Sequence, residues 1–291
     1  MLQVLLPVTG PVMICILVGF CWKKLNVPYD TDMVTRLVMC VGAPCLVVSA
    51  MSNAAVSRGV IEEMFWVTLV MVVATLFLAA VVIALTRQSL RALMGPLVFP
   101  NAGNMGLPVC LFAFGERGLV LAIAVFMMLS LVHFTLGIAL VSGRSVLQEM
   151  IRNPIIYSIV TALVMIYSDW SLPEWAQNTV SLLGDMTIPL MLLTLGVSLA
   201  NMQVSSLGRS IVFAVMRLGI GVAVGLGVAS AFGLSGVARG VVILQSAMPV
   251  AVFNYLFAMR YGREPQLVAG MVVVSTLLSF LLLPALLLYV I

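Results

Sequence analysis

The 291 residues are 63% hydrophobic and only 8% charged, with a mean hydropathy of +1.23. That balance excludes a soluble globular domain and marks an integral membrane protein. The net charge of +4 does not point to nucleic acid, because the charges sit in the connections between apolar segments.

A helix that crosses a bilayer needs about 20 apolar residues. Ten such segments can be read: Gln3 to Trp22, Met33 to Met51, Met64 to Thr86, Ala92 to Phe114, Leu119 to Ser142, Pro154 to Tyr167, Thr179 to Ala200, Ser210 to Phe232, Gly240 to Met259 and Gln266 to Val290. The odd-numbered connections and adjoining segment ends hold Lys23, Lys24, Arg36, Arg87, Arg91, Arg144, Arg152, Arg209, Arg217, Arg260 and Arg263, whereas the other side has only Arg58, Arg117 and Arg239. By the positive-inside rule the odd connections are cytoplasmic and both termini lie outside. The first segment lacks a preceding basic residue and a small-residue cleavage site, and Lys23 and Lys24 follow it, so it reads as a retained helix, not a signal peptide. The five cysteines (Cys15, Cys21, Cys40, Cys45, Cys110) form no C-x-x-C pair and have no histidine at ligand spacing; they read as apolar packing residues. Neither a metal nor a cofactor is expected.

Pro100-Asn101-Ala102-Gly103-Asn104-Met105-Gly106-Leu107-Pro108, within the fourth segment, should interrupt its helix. Pro100 and Pro108 remove backbone donors, Gly103 and Gly106 favour uncoiled backbone, and Asn101 and Asn104 bring polar side chains to mid-membrane depth. In lipid such backbone survives only where protein buries it or water reaches it, and broken helices of this kind build substrate sites in many secondary transporters. His133, the only histidine, falls near the centre of the fifth segment. It could carry a proton or simply bond a neighbouring helix. Asp185 lies inside the seventh segment, where an unpaired carboxylate costs at least about 2.5 kcal/mol; it is read either as a functional group or as a cap at the N-terminal side of its helix. Gly219, Gly221, Gly225 and Gly227 suit close helix packing.

A second interruption, Gln245-Ser246-Ala247-Met248-Pro249 with Asn254 beyond, stands in the ninth segment. Arg91 and Arg239 open the two broken segments and Gly115 and Gly262 close them, while Pro44 and Pro189 correspond in segments two and seven. Two copies of five spans, each of odd number, enter the membrane in opposite senses, which makes the repeat inverted. Residues 1–143 and 154–291 are the expected halves. The breaks should then meet near the midplane, where half-helix N-termini favour an anion such as a carboxylate. Proline kinks used only for packing are the plainer alternative.

On these residues the chain resembles the auxin efflux carrier family, which includes bacterial members assigned to malonate and other organic acids and the plant PIN-FORMED carriers. The resemblance rests on Pro100-Asn101, Gly106-Leu107-Pro108, Gln245-Ser246-Ala247-Met248-Pro249, Gly184-Asp185 and Leu195-Gly196. It implies an all-α fold of ten transmembrane helices in an inverted five-plus-five repeat, like the sodium/bile-acid symporters. Helices 1, 2, 6 and 7 would form a scaffold that pairs as a homodimer; helices 3–5 and 8–10 would form a transport domain moving as an elevator. Substrate, a small organic anion, would bind where broken helices 4 and 9 cross, in contact with Asn101, Asn104, Gln245, Ser246 and Asn254. Pro100, Gly103, Gly106, Pro108 and Pro249 would shape the backbone there, with Asp185 or His133 as proton-coupling candidates. Only residues 143–153 join the halves, unlike the long central loop of the plant carriers, so the chain resembles a bacterial member of the inner membrane. A sensor or channel on the same fold is the rival reading. No G-x-S-x-G, H-E-x-x-H or Walker A sequence supports an enzyme.

Overall fold

Apolar runs of this length must satisfy their own backbone groups in lipid, and a helix does so within one segment. The computed structural model describes residues 2–52, 57–142, 154–168, 170–202 and 206–291. Arg144, Arg152 and the connection between the expected halves lie outside the described residues. In chain order the elements are α1 (Leu2–Lys24), α2 (Thr31–Leu37), α3 (Ala43–Ser52), α4 (Arg58–Thr86), α5 (Leu90–Val98), α6 (Leu107–Val132), α7 (Ile138–Ser142), α8 (Pro154–Ser168), α9 (Glu174–Asp185), α10 (Thr187–Asn201), α11 (Leu207–Ala231), α12 (Gly236–Ser246), α13 (Val252–Tyr261) and α14 (Pro265–Val290). Among the described residues there is no strand, only one isolated antiparallel bridge between Pro100 and Val250.

Among the described residues, seven stretches are long and apolar enough to cross a membrane: Leu6–Lys24, Thr31–Ser52, Arg58–Thr86, Ala102–Val141, Glu174–Asn201, Leu207–Ala231 and Pro265–Val290. The difference from ten has identifiable causes. Ala102–Val141 takes in parts of expected segments four and five, divided only by a kink at Gly115 (φ 65°, ψ −159°). The ninth segment splits into α12 and α13, each too short to cross alone, and Pro154–Ser168 has 15 residues.

Two prolines are absorbed without breaking their helices. A wide π-helical turn, Val38–Gly42, precedes Pro44, and another, Ala102–Gly106, precedes Pro108. In each, the residue just before the proline donates to the carbonyl five residues back, Ala43 to Val38 and Leu107 to Ala102. Widening the turn relieves the clash between the proline ring and the carbonyl four residues earlier.

α1 lies along α10, and α3 packs on α8 and α9; α4 packs on α5, α6 and α11, and α11 packs on α12 and α14, while α6 also touches α1, α3 and α8. Trp66, Phe77, Leu85, Leu182 and Leu281 are exposed, as expected where the surrounding solvent is lipid. Buried Thr68 and Thr75 return their hydroxyls to the carbonyls of Met64 and Met71, which removes the cost of placing them there. Of the four glycines of the eighth segment, Gly221 and Gly225 lie against the end of α12, while Gly219 and Gly227 face open space.

One assignment of charge is corrected. Arg217 belongs to neither a connection nor a helix end: it lies inside α11 with 1% of its surface exposed. The basic bias therefore rests on the other residues.

Candidate functional site

The site is built where the two interrupted segments touch. α5 ends at Val98, Phe99 is extended, and helical structure resumes at Ala102; α12 ends at Ser246 and α13 begins at Val252. The interruptions satisfy each other. Asn101 N donates to Pro249 O at 2.7 Å, and Ala251 N donates to Phe99 O at 3.2 Å. Ser275 on α14 accepts from Val250 N at 3.0 Å. Backbone that lipid could not tolerate is thus buried and bonded, since Phe99, Asn101, Val250 and Ala251 are all within 4% exposure.

The first interruption is narrower than expected. It spans Phe99–Asn101, and Pro108 lies beyond it, behind the wide turn Ala102–Gly106 that carries Gly103 and Asn104. Pro108→Ala should let that turn tighten into α-helix and re-aim Asn101 and Asn104. We expect stability to rise by up to about 3 kcal/mol, the usual cost of an interior proline, while transport falls. Undiminished transport in a more stable variant would make the wide turn a packing feature.

A small cavity of about 40 Å³ opens against the first break, lined by Pro100, Asn101, Ala102, Gly103, Asn104, Ser130 and His133 among others. Through Met39, Asn104, Met191 and Phe253 it adjoins a wider one of about 140 Å³, lined by Asp32, Thr35, Thr194, Ser198 and Asn201. Asn101 is 4% exposed, and its Nδ2 has no hydrogen-bond partner among the described residues. The first intrahelical bond beyond it runs from Met105 N to Asn101 O, so the amides of Ala102, Gly103 and Asn104 form the open first turn of a helix. A buried amide donor without a partner among the described residues and a helix N-terminus therefore stand together at the break that borders this small space, the chemistry that receives an anion.

The other expected site residues are placed differently. Asn254 braces the break: its Nδ2 donates to Phe99 O at 3.3 Å, and its Oδ1 lies 3.0 Å from His133 Nε2. Because a carbonyl can only accept, the Phe99 contact orients the amide, and Nε2 of His133 must carry a proton. The imidazole also stacks on Phe99 at 4.1 Å between centroids. His133 is thus bonded to a neighbouring segment and lines the cavity as well. Gln245 is fully buried against Gly106, where an added Cβ would come within 2.8 Å of its Cδ, and neither polar atom of its side chain has a partner among the described residues. Ser246 Oγ donates to Ile243 O at 3.0 Å. Neither Gln245 nor Ser246 lines the two cavities.

Asp185 does lie at a helix end, as the last residue of α9 and two residues before α10 begins at Thr187, midway along Glu174–Asn201. It is exposed on the outside of the chain and lines neither cavity.

Arg217 is the residue that sequence reading missed. Its Nη2 donates to Ser246 O at 2.9 Å, at the end of α12, and its Nε and Nη1 have no partner among the described residues. The signal was available, since an arginine inside the apolar run Ser210 to Phe232 is a functional candidate by position alone.

The family described as membrane transport protein matches residues 138–287, just over half of the chain. The chain belongs to this family, that of the auxin efflux carriers. Over nearly its whole length it is similar to an uncharacterized transporter of Methanocaldococcus jannaschii, 23% identical over 93% of this chain and 94% of the relative. An uncharacterized transporter of Methanothermobacter thermautotrophicus is 25% identical over 94% of each. Auxin efflux carrier component 1 of Arabidopsis thaliana is 31% identical over 49% of this chain and 24% of the plant protein. The family and the apolar helices make the chain a multi-pass membrane transport protein.

Proposed function

We propose that the protein is a secondary carrier of small organic anions, mono- or dicarboxylates, across a bacterial inner membrane. The observation that carries this reading is the unpartnered Asn101 Nδ2 beside the open first turn Ala102–Asn104 in a cavity at paired helix breaks. Plant relatives bear the name auxin efflux carrier, and auxin is itself a carboxylate, which favours the same substrate class. Asn101 and Asn104 bind the anion, with Asn254 bracing the first break through Phe99 O and Gln245 and Ser246 packed behind at the end of α12. The close packing of α1 on α10 and of α3 on α8 and α9, beside that of α4 on α5, α6 and α11, favours a scaffold and a transport domain that slides past it, within ten spans of an inverted repeat. The scaffold pairs two copies.

Reconstituted protein should take up radiolabelled malonate, succinate or indole-3-acetate into proteoliposomes. Uptake of none of them by folded protein would defeat the reading and favour a sensor. His133 lines the smaller cavity and Asp32 the wider one, and Asp185 lies outside both. Accumulation that follows an imposed pH gradient and disappears in His133→Gln or Asp185→Asn marks proton symport through that residue; accumulation that follows membrane potential alone marks uniport.

With Arg217 set aside, the remaining basic residues still favour the odd connections as cytoplasmic. A reporter active only in the cytoplasm, fused after Ile291, should be silent, and a strong signal would reverse the orientation.

A further inference from the structure

We infer that Arg217 is the fixed counter-charge that makes the paired breaks selective for anions, acting through the end of α12. The inference rests on the anion-carrier reading and names the residue that sets its charge preference.

Four helix ends converge on the bridge between Pro100 and Val250. Two are N-terminal ends, at Ala102 and Val252, which attract an anion; two are C-terminal ends, of α5 and α12, which repel one. The two C-terminal ends are treated differently. At α5 the Phe99 carbonyl is met by neutral donors, Asn254 Nδ2 and Ala251 N. At α12 the last carbonyl, of Ser246, is met at 2.9 Å by a guanidinium.

An arginine keeps its charge in a protein interior. Arg217 is 1% exposed, and among the described residues its Nε and Nη1 have no partner and the structure gives it no carboxylate. A buried cation without a counter-ion is costly, and neutral donors would cap the carbonyl at less cost, as Asn254 does at the other break. What a neutral donor cannot supply is a positive potential. In a poorly screened interior that potential extends beyond the contact itself, and Ser246 is joined to the site by the short run Ala247-Met248-Pro249, whose last carbonyl receives Asn101 N. Arg217 therefore turns a helix end that would repel the substrate into one that attracts it. It is a positioning residue, since it need not touch the anion.

The experiment compares each carboxylate with its neutral amide: malonate with malonamide, succinate with succinamide, and indole-3-acetate with indole-3-acetamide. Thermal stabilisation of purified protein by each is titrated for wild type, Arg217→Gln and Arg217→Lys. Wild type should prefer at least one acid over its amide by tenfold or more. Arg217→Gln, which keeps a donor for Ser246 O, should lose about tenfold in affinity for that acid and leave the amide unchanged; Arg217→Lys should restore the acid. Equal loss for acid and amide would reduce Arg217 to a structural cap and overturn the inference, as would an unchanged preference. If Arg217→Gln does not fold, wild type binding an amide as tightly as its acid overturns it as well. Failure of wild type to bind any of the three acids, with normal folding, instead removes the anion-carrier reading beneath it.

Discussion

Asn101→Ala is expected to weaken carboxylate-dependent uptake by roughly ten- to a hundredfold in apparent affinity while the protein still folds. The Asn101 side chain makes no bond to the rest of the described structure through Nδ2, so its removal breaks no internal contact there. The backbone link from Asn101 N to Pro249 O does not involve the side chain and should persist. What is lost is a buried donor to a charged acceptor, worth about 1.5–3 kcal/mol, or roughly ten- to a hundredfold in affinity. The measurements are uptake in proteoliposomes and thermal stabilisation by malonate, succinate and indole-3-acetate, with melting of the unliganded variant as the control for folding. Transport at unchanged apparent affinity would move the substrate away from the first break.

A second large effect is expected far from the site, at Gly196 on α10. Gly196 and Gly19 let α1 and α10 approach until their backbones touch. A Cβ at 196 would come within 2.8 Å of Phe20 N and 2.9 Å of Ile16 C, and one at 19 within 2.9 Å of Leu193 C. The obstructing atoms are main chain, which cannot rotate aside as a side chain would. Gly196→Ala must therefore push the helices apart and forfeit contacts along their shared length. Overpacking of this kind costs about 1–3 kcal/mol, and close approach of small residues is what holds helices together where lipid removes the hydrophobic drive. We expect melting to fall by roughly 3–10 °C, against little change for Gly219→Ala, whose added Cβ meets nothing within 4 Å. Equal melting of the two variants would show that α1 and α10 are not held by this contact.

The two variants differ in how far each was legible beforehand. Asn101 was marked by its neighbours: a proline, two glycines and a second asparagine in an apolar run admit few explanations other than an interrupted helix with a polar purpose. Gly196 was marked only as part of the Leu195-Gly196 pair on which the family resemblance rests, with nothing beside it to announce a close helix contact. Its importance depends on Ile16 and Phe20, which only the folded chain brings beside it.

Local chemistry by itself determined that the chain spans a membrane as helices, that segments four and nine are interrupted, and that polar side chains gather at those interruptions. Each follows from hydropathy and from the backbone limits of proline and glycine, which act within a few residues. Tertiary structure decided the rest. It placed the first break at Phe99–Asn101, because the wide turn Ala102–Gly106 accommodates Pro108 and the missing ladder bonds are supplied by Pro249 and Ala251 from the other half of the chain. It separated the asparagines by role: Asn101 is left with an uncommitted donor, while Asn254 is consumed by His133 and Phe99. It also turned Arg217 from one of many basic residues into a buried charge against Ser246. A polar side chain in a low-dielectric interior takes its function from whichever partner lies within hydrogen-bond reach, and across these helices that partner is remote in sequence.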